Sequence, residues 1–77
     1  MKISPNPFED IIIVDLGEPE ILPVDFYLEN QAGEMKYRNR IFTSKKILDV
    51  SDVPPGNYRY KLQNEKRILL EGWGEKK

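Results

Sequence analysis

Carboxylates are the groups in this chain whose spacing could support chemistry in pairs. The sequence contains no histidine and no cysteine. Imidazole bases, Ser-His-Asp triads, thiol nucleophiles and the usual Cys/His zinc sites are therefore absent. Its glycines sit at turns rather than in a phosphate-cradling loop. Glu18 and Glu20 flank Pro19, and Asp49 and Asp52 bracket a turn. Two carboxylates could serve a glycosidase, but that needs a cleft that a very small domain rarely supplies. Solvated loop acids are the better reading. Asp49, Ser51 and Asp52 could hold a calcium ion together with backbone carbonyls, although Asp52 is better read as capping the turn through its own backbone. We read no catalytic site, no cofactor and no metal from these residues, and expect a protein that is not an enzyme.

Other features point to surfaces. Lys36, Arg38 and Arg40 alternate, which puts them on one strand face, and Lys45 and Lys46 extend the basic stripe along the chain. This is either a docking surface for an acidic partner or a solvated, edge-protecting face, and the second is favoured. Trp73 is expected to close the core rather than meet a partner. Phe8 is expected to be buried, whatever reads the Pro5-Asn6-Pro7-Phe8 turn from outside.

These residues must be held by short strands. Prolines and glycines recur throughout the 77 residues and leave no room for a useful helix. Between them lie short β-branched runs and period-two patterns, which predict a small sandwich or barrel of six or seven strands. Lys2 to Ser4 reads as a first strand. Asp10 to Asp15 follows, apolar on both faces through Ile11, Ile12, Ile13 and Val14, with one face on the core and the other expected under a neighbouring loop. Pro23 to Asn30 is the clearest strand, with Val24, Phe26 and Leu28 alternating against Asp25, Tyr27 and Glu29.

Asn30-Gln31-Ala32-Gly33 then reads as a hairpin loop with Gly33 at positive φ. A four-residue loop predicts Leu28 opposite Met35, Phe26 opposite Tyr37 and Val24 opposite Asn39, with Asp25 facing Arg38 and Tyr27 facing Lys36. Lys46 to Val50 is the next strand, with Leu48 and Val50 inward. The segment from Ser51 to Gly56 is a corner plugged by Val53. Asn57 to Gln63 and Arg67 to Trp73 form the last two strands around an Asn64-Glu65-Lys66 turn, and Glu75-Lys76-Lys77 is a charged end. Tyr58 is either an ordinary core tyrosine or a tyrosine corner, whose hydroxyl bonds the backbone a few residues upstream.

Size and charge set limits. The chain supplies one domain, residues 1–77, with one modest core. Twelve basic residues face thirteen acidic ones, for a net charge of −1, so there is no general drive toward nucleic acid or an anionic membrane. No apolar run approaches the roughly 20 residues of a membrane-spanning helix, and none resembles the core of a signal peptide.

In order along the chain, Pro5-Asn6-Pro7-Phe8, the Ile-rich strand, the Val24 to Leu28 strand ending near Gly33, the Leu48-to-Leu62 segment with its Pro55-Gly56-Asn57-Tyr58 corner, and the terminal Gly72 and Lys76-Lys77 resemble one family. That family is the C-terminal sorting domain of the type IX (Por) secretion system. The resemblance runs from Ile3 to Lys77. It departs from the family at Asn57, where an apolar or β-branched residue is usual, and at Gly72-Trp73-Gly74-Glu75.

The resemblance implies an immunoglobulin-like antiparallel β-sandwich that acts as an address rather than a catalyst. Its implied partners are the outer-membrane translocon, the C-terminal signal peptidase that then removes the domain, and the upstream cargo of the same precursor. No nucleic acid and no membrane insertion are implied. The implied route is through the periplasm to the outer membrane, cell surface or extracellular space. A longer precursor would carry the leader, and Met1 would then not be a native start. The implied recognition residues are Pro5, Asn6, Pro7, Gly56, Tyr58, Gly72, Lys76 and Lys77. The alternative is an immunoglobulin-like accessory or adhesive module without a sorting role. A carbohydrate-binding sandwich is a third reading; it would need exposed aromatics, for which Tyr27, Tyr37 and Trp73 are the candidates.

Overall fold

The β-branched and alternating segments pair into two antiparallel sheets in a computed structural model that describes residues 1–17 and 21–77. Glu18 and Glu20, read above as loop acids, lie outside the described residues. Seven strands are present among the described residues: β1 (Lys2–Ser4), β2 (Ile11–Asp15), β3 (Val24–Glu29), β4 (Met35–Ile41), β5 (Lys45–Asp49), β6 (Gly56–Gln63) and β7 (Ile68–Lys76). One sheet has the order β1-β2-β5 and the other β4-β3-β6-β7. The expected all-β sandwich is therefore found. Its strand order places β1, β2 and β5 as strands A, B and E of an immunoglobulin-like fold, with β3, β6 and β7 as C, F and G.

Period-two alternation decides which side chains meet. Val24, Phe26 and Leu28 on β3 face Ile12 and Val14 on β2 and Leu48 on β5, and all are fully buried. Val50 and Val53 seal the end of the core below β5, and the Val53 amide donates to the Val50 carbonyl at 3.0 Å. Each such aliphatic side chain contributes roughly 1.5–3 kcal/mol by leaving water. The outer face of β2 does not gain the cover expected of it. Ile11 is 42% exposed, and Ile47, which neighbours Ile13 across β5, is 61% exposed.

The β3–β4 register differs from the expected one by two residues. Val24 lies opposite Ile41, Asp25 opposite Arg40, Phe26 opposite Asn39, Tyr27 opposite Arg38 and Leu28 opposite Tyr37. Two local events cause this. Asn30 closes a tighter loop than expected: its amide donates to the Glu34 carbonyl at 2.9 Å, and its side-chain oxygen accepts the amides of Ala32 and Glu34. Gly33 takes φ +84°, the left-handed turn that such a loop requires. A β-bulge at Lys36 then adds a second residue, since Glu29 pairs with Met35 and Leu28 with Tyr37.

One residue of slip would have turned β4 inside out; two restore its faces. Ile41 is consequently in the core and Met35 is exposed, whereas Met35 was expected opposite Leu28 and inward. Tyr37 packs edge-on against Phe26, with ring centroids 6.1 Å apart.

The last strand is longer than expected. It runs on through Glu75 to Lys76, so the charged end is part of the sheet. The extra length matters because β7 then reaches Gly56 at the start of β6.

A core this small predicts steep sensitivity to truncation. Phe26→Ala should cost about 3–5 kcal/mol, a large part of the total stability of a domain this size. Ile47→Ala, on the outer face, should change stability by less than about 0.5 kcal/mol. Urea melts of the two variants check this; equal losses would contradict the layer assignment.

Candidate recognition surface where the chain's two ends meet

Pro5 and Pro7 deny the segment between β1 and β2 a regular strand, yet this segment lies along the free edge of β7. The Phe8 amide donates to the Glu75 carbonyl at 2.8 Å, and the Lys77 amide donates to the Phe8 carbonyl at 2.9 Å. Phe8 and Lys76 thus form a parallel bridge. One turn earlier, the Asn6 side chain does the work of a backbone group. Its Nδ2 donates to the Trp73 carbonyl at 3.3 Å, and its Oδ1 accepts the Glu75 amide at 3.2 Å. The edge of β7 is thereby closed against pairing with another chain.

The inward positions of β7 beyond Leu70 are Gly72, Gly74 and Lys76, opposite Tyr60, Tyr58 and Gly56 on β6. The two glycines leave hollows that aromatic rings fill. A Cβ at Gly72 would strike the Tyr60 hydroxyl and ring, and one at Gly74 would press on the Phe8 ring at 3.3 Å. Cross-strand aromatics covering glycines in this way restore the packing that a glycine forfeits. Phe8 is buried, as expected. Trp73 is not: it points outward and is 58% exposed, because Phe8 and Tyr60 already fill the place expected for it.

Tyr58 is a tyrosine corner. Its ring is buried, and its hydroxyl donates to the Pro54 carbonyl, four residues upstream, at 2.6 Å. The bond fixes the crossing from β5 to β6. Gly56 begins β6 at φ +152°, a conformation that resists a side chain, although a Cβ there would make only ordinary contact with the Tyr58 ring at 3.8 Å.

The structure therefore gathers the expected recognition residues along one strip. Pro5, Asn6, Pro7, Gly56 and Lys77 are exposed, Gly72 is half-buried under Tyr60, and Tyr58 and Lys76 are buried. Lys76 is only 6% exposed, with its stem opposite Gly56 and its Nζ donating to the Lys77 carbonyl at 3.2 Å.

The basic stripe on β4 belongs to a different arrangement. The outer face of the four-stranded sheet alternates in charge strand by strand. Arg40 bonds Asp25 at 2.9 Å, Arg38 lies 5.8 Å from the centre of the Tyr27 ring, and Lys36 approaches Glu34 at 3.9 Å. Further across, Lys61 approaches Glu29 at 3.9 Å, and Arg59 pairs with Glu71. Arg40, Lys61 and Arg59 are answered by carboxylates on neighbouring strands, which supports the solvated reading of the β4 stripe over the docking one. Lys45 and Lys46 lie on β5 in the other sheet and do not extend it. The turn acid is also corrected. Asp49, not Asp52, takes the cap, its Oδ1 accepting the Ser51 amide at 3.0 Å and the Ser51 hydroxyl at 2.7 Å.

Asp25 is held below the usual carboxylate range, chiefly by its hydrogen bond from Arg40. A depressed folded-state pKa contributes stability above the unfolded value, about 3.9, and loses it as pH falls through the folded value. Asp25→Asn should therefore shrink the fall in melting temperature between about pH 5 and pH 2; an unchanged acid limb would contradict the ion pair. Tyr58→Phe keeps the ring and removes one hydrogen bond, for an expected loss of about 0.5–1.5 kcal/mol, measurable by chemical denaturation.

The sequence marks the Pro5-to-Phe8 turn but ends the last strand at Trp73, short of Lys76, and it does not show that the two segments touch. The contact joins residues 69 positions apart. The one local clue was Gly72-x-Gly74 in a strand that alternates against Tyr58 and Tyr60.

The model of one protein family, described as the secretion system C-terminal sorting domain, matches residues 2–71. No curated protein and no solved structure matches the chain. Nearly the whole sandwich lies within the family match, and the chain belongs to the type IX secretion C-terminal sorting domains.

Proposed function

We propose that the type IX outer-membrane translocon reads this domain in its folded form, and that a partner peptidase then removes it from its cargo. Membership of the family supports a sorting role, with export toward the outer membrane, cell surface or extracellular space. The observation that carries the finer reading is the junction of Asn6 and Phe8 with β7. Pro5, Asn6 and Pro7 come from one end of the sequence, and the exposed Lys77 from the other. They form one surface only when the sandwich is closed. A reader of that surface distinguishes a finished tail from an unfolded one at no extra cost.

The domain acts as a ligand in this reading and does no bond-breaking itself. Its lack of histidine and cysteine supports leaving the peptide chemistry to the partner. The cargo lies upstream of β1, and the translocon meets the domain in the periplasm.

A fluorescent or enzymatic reporter fused ahead of residues 1–77 should reach the surface or medium of a type IX-competent strain. Retention in the periplasm would overturn the sorting role for this chain. The Phe26→Ala fusion separates fold from motif, because every recognition residue remains in its sequence. It should accumulate inside the cell. Export of that variant at the wild-type level would overturn recognition of the folded form.

A further inference from the structure

Among the described residues two aromatic side chains stand largely in water, Phe42 and Trp73, and Trp73 is the one that borders a depression. Its indole stands on the outer face of β7, and the core beneath is already filled by Phe8 and Tyr60. The indole borders a depression of about 440 Å³ lined by Asn6, Gln31, Asn57, Trp73, Gly74 and Glu75. Three different parts of the fold build it. Asn57 and Glu75 face each other across β6 and β7, and Trp73 lies two residues along on the same face. Gln31 reaches in from the β3–β4 loop, and Asn6 is pinned by the Trp73 carbonyl and the Glu75 amide. A second depression, of about 510 Å³, runs between that loop and the Tyr58 corner and shares Gln31 and Asn57 with the first.

We propose that this depression is a binding site for a neutral carbohydrate, with one pyranose ring stacked on Trp73. The lining chemistry selects this class. A pyranose offers an apolar C–H face to a flat aromatic ring and a rim of hydroxyls that both donate and accept hydrogen bonds. Carboxamides also do both, and three of them surround the indole. Gln31 and Asn57 are exposed. Asn6, although committed to the backbone of β7, keeps one N–H and one acceptor lone pair to spend.

A protein partner would need an apolar rim that excludes water around the aromatic anchor, and here Trp73 is the sole large apolar side chain in the lining. A nucleotide would need cations for its phosphates; the lining has none, and Glu75 opposes an anion. The same carboxylate makes the preferred sugar neutral and accepts its hydroxyls. The shared boundary with the second depression suits an oligosaccharide over a single unit.

Trp73 is the only tryptophan in the chain, so its fluorescence reports from the site without interference. Cellohexaose, mannohexaose and xylohexaose, titrated separately into the full chain, should include at least one that shifts the emission saturably. The same sugar should move the NMR amide signals of Gln31, Asn57, Trp73 and Glu75. Trp73→Ala should abolish the NMR shifts and leave the melting temperature unchanged. Asn57→Ala and Gln31→Ala, read by fluorescence, should each weaken binding roughly three- to tenfold. Silence from all three sugars up to about 10 mM, beyond the millimolar affinity of a single stacking platform, would overturn the proposal. So would NMR shifts that persist in Trp73→Ala, or affinities that Asn57→Ala and Gln31→Ala leave untouched.

Discussion

The backbone bonds between Phe8 and the last strand hold the two ends of this chain together. A sandwich of 77 residues has little core to spare, and a free edge on its longest strand would be a standing invitation to pair with another chain. The Phe8 amide and carbonyl and the Asn6 carboxamide occupy that edge. The same segment delivers the Phe8 ring over Gly74. Edge closure and core completion are therefore one event. This explains why two glycines stand on the inner face of β7, where larger apolar residues would be expected. A side chain at either position would lift the ring that now lies there.

Once the ends are joined, the remaining surface divides by face. Outward side chains of β4, β3, β6 and β7 alternate in charge and answer one another within the sheet. This leaves little net field, in keeping with the net charge of −1. The three-stranded sheet instead exposes isoleucines. At the junction of the ends stands Trp73, which the packing of Phe8 and Tyr60 has displaced from the core. Its exposure follows from the glycines beside it and from the strict alternation of a strand. With Gly72 and Gly74 inward, Trp73 can only be outward.

The β3–β4 hairpin shows how a β-sheet tolerates local change. Asn30 tightens the loop, and this alone would move every side chain of β4 to the wrong face. The bulge at Lys36 cancels that move. The net shift of two residues keeps Tyr37 and Asn39 inward but exchanges their partners, brings Ile41 into the core, and hands the Asp25 ion pair from Arg38 to Arg40. Period-two patterning constrains the parity of a register and leaves its value open.

The fold class, a count of six or seven strands, the inward set Val24, Phe26, Leu28, Leu48 and Val50, the plug at Val53 and the turn glycine at Gly33 were all legible in the sequence. Each depends on alternation or on a residue type within a few positions, and those are local properties of the chain. The tertiary structure alone decided the hairpin register, because backbone hydrogen bonds accepted by the Asn30 side chain and a one-residue bulge carry no hydrophobic signature. It alone decided that Tyr58 reaches Pro54, that Lys76 is buried and that Trp73 is not. It also brought Asn6 and Phe8 to Glu75. Those outcomes depend on which distant segments arrive at the same edge, and a linear pattern of residues specifies each strand's faces without specifying what will lie against its last free edge.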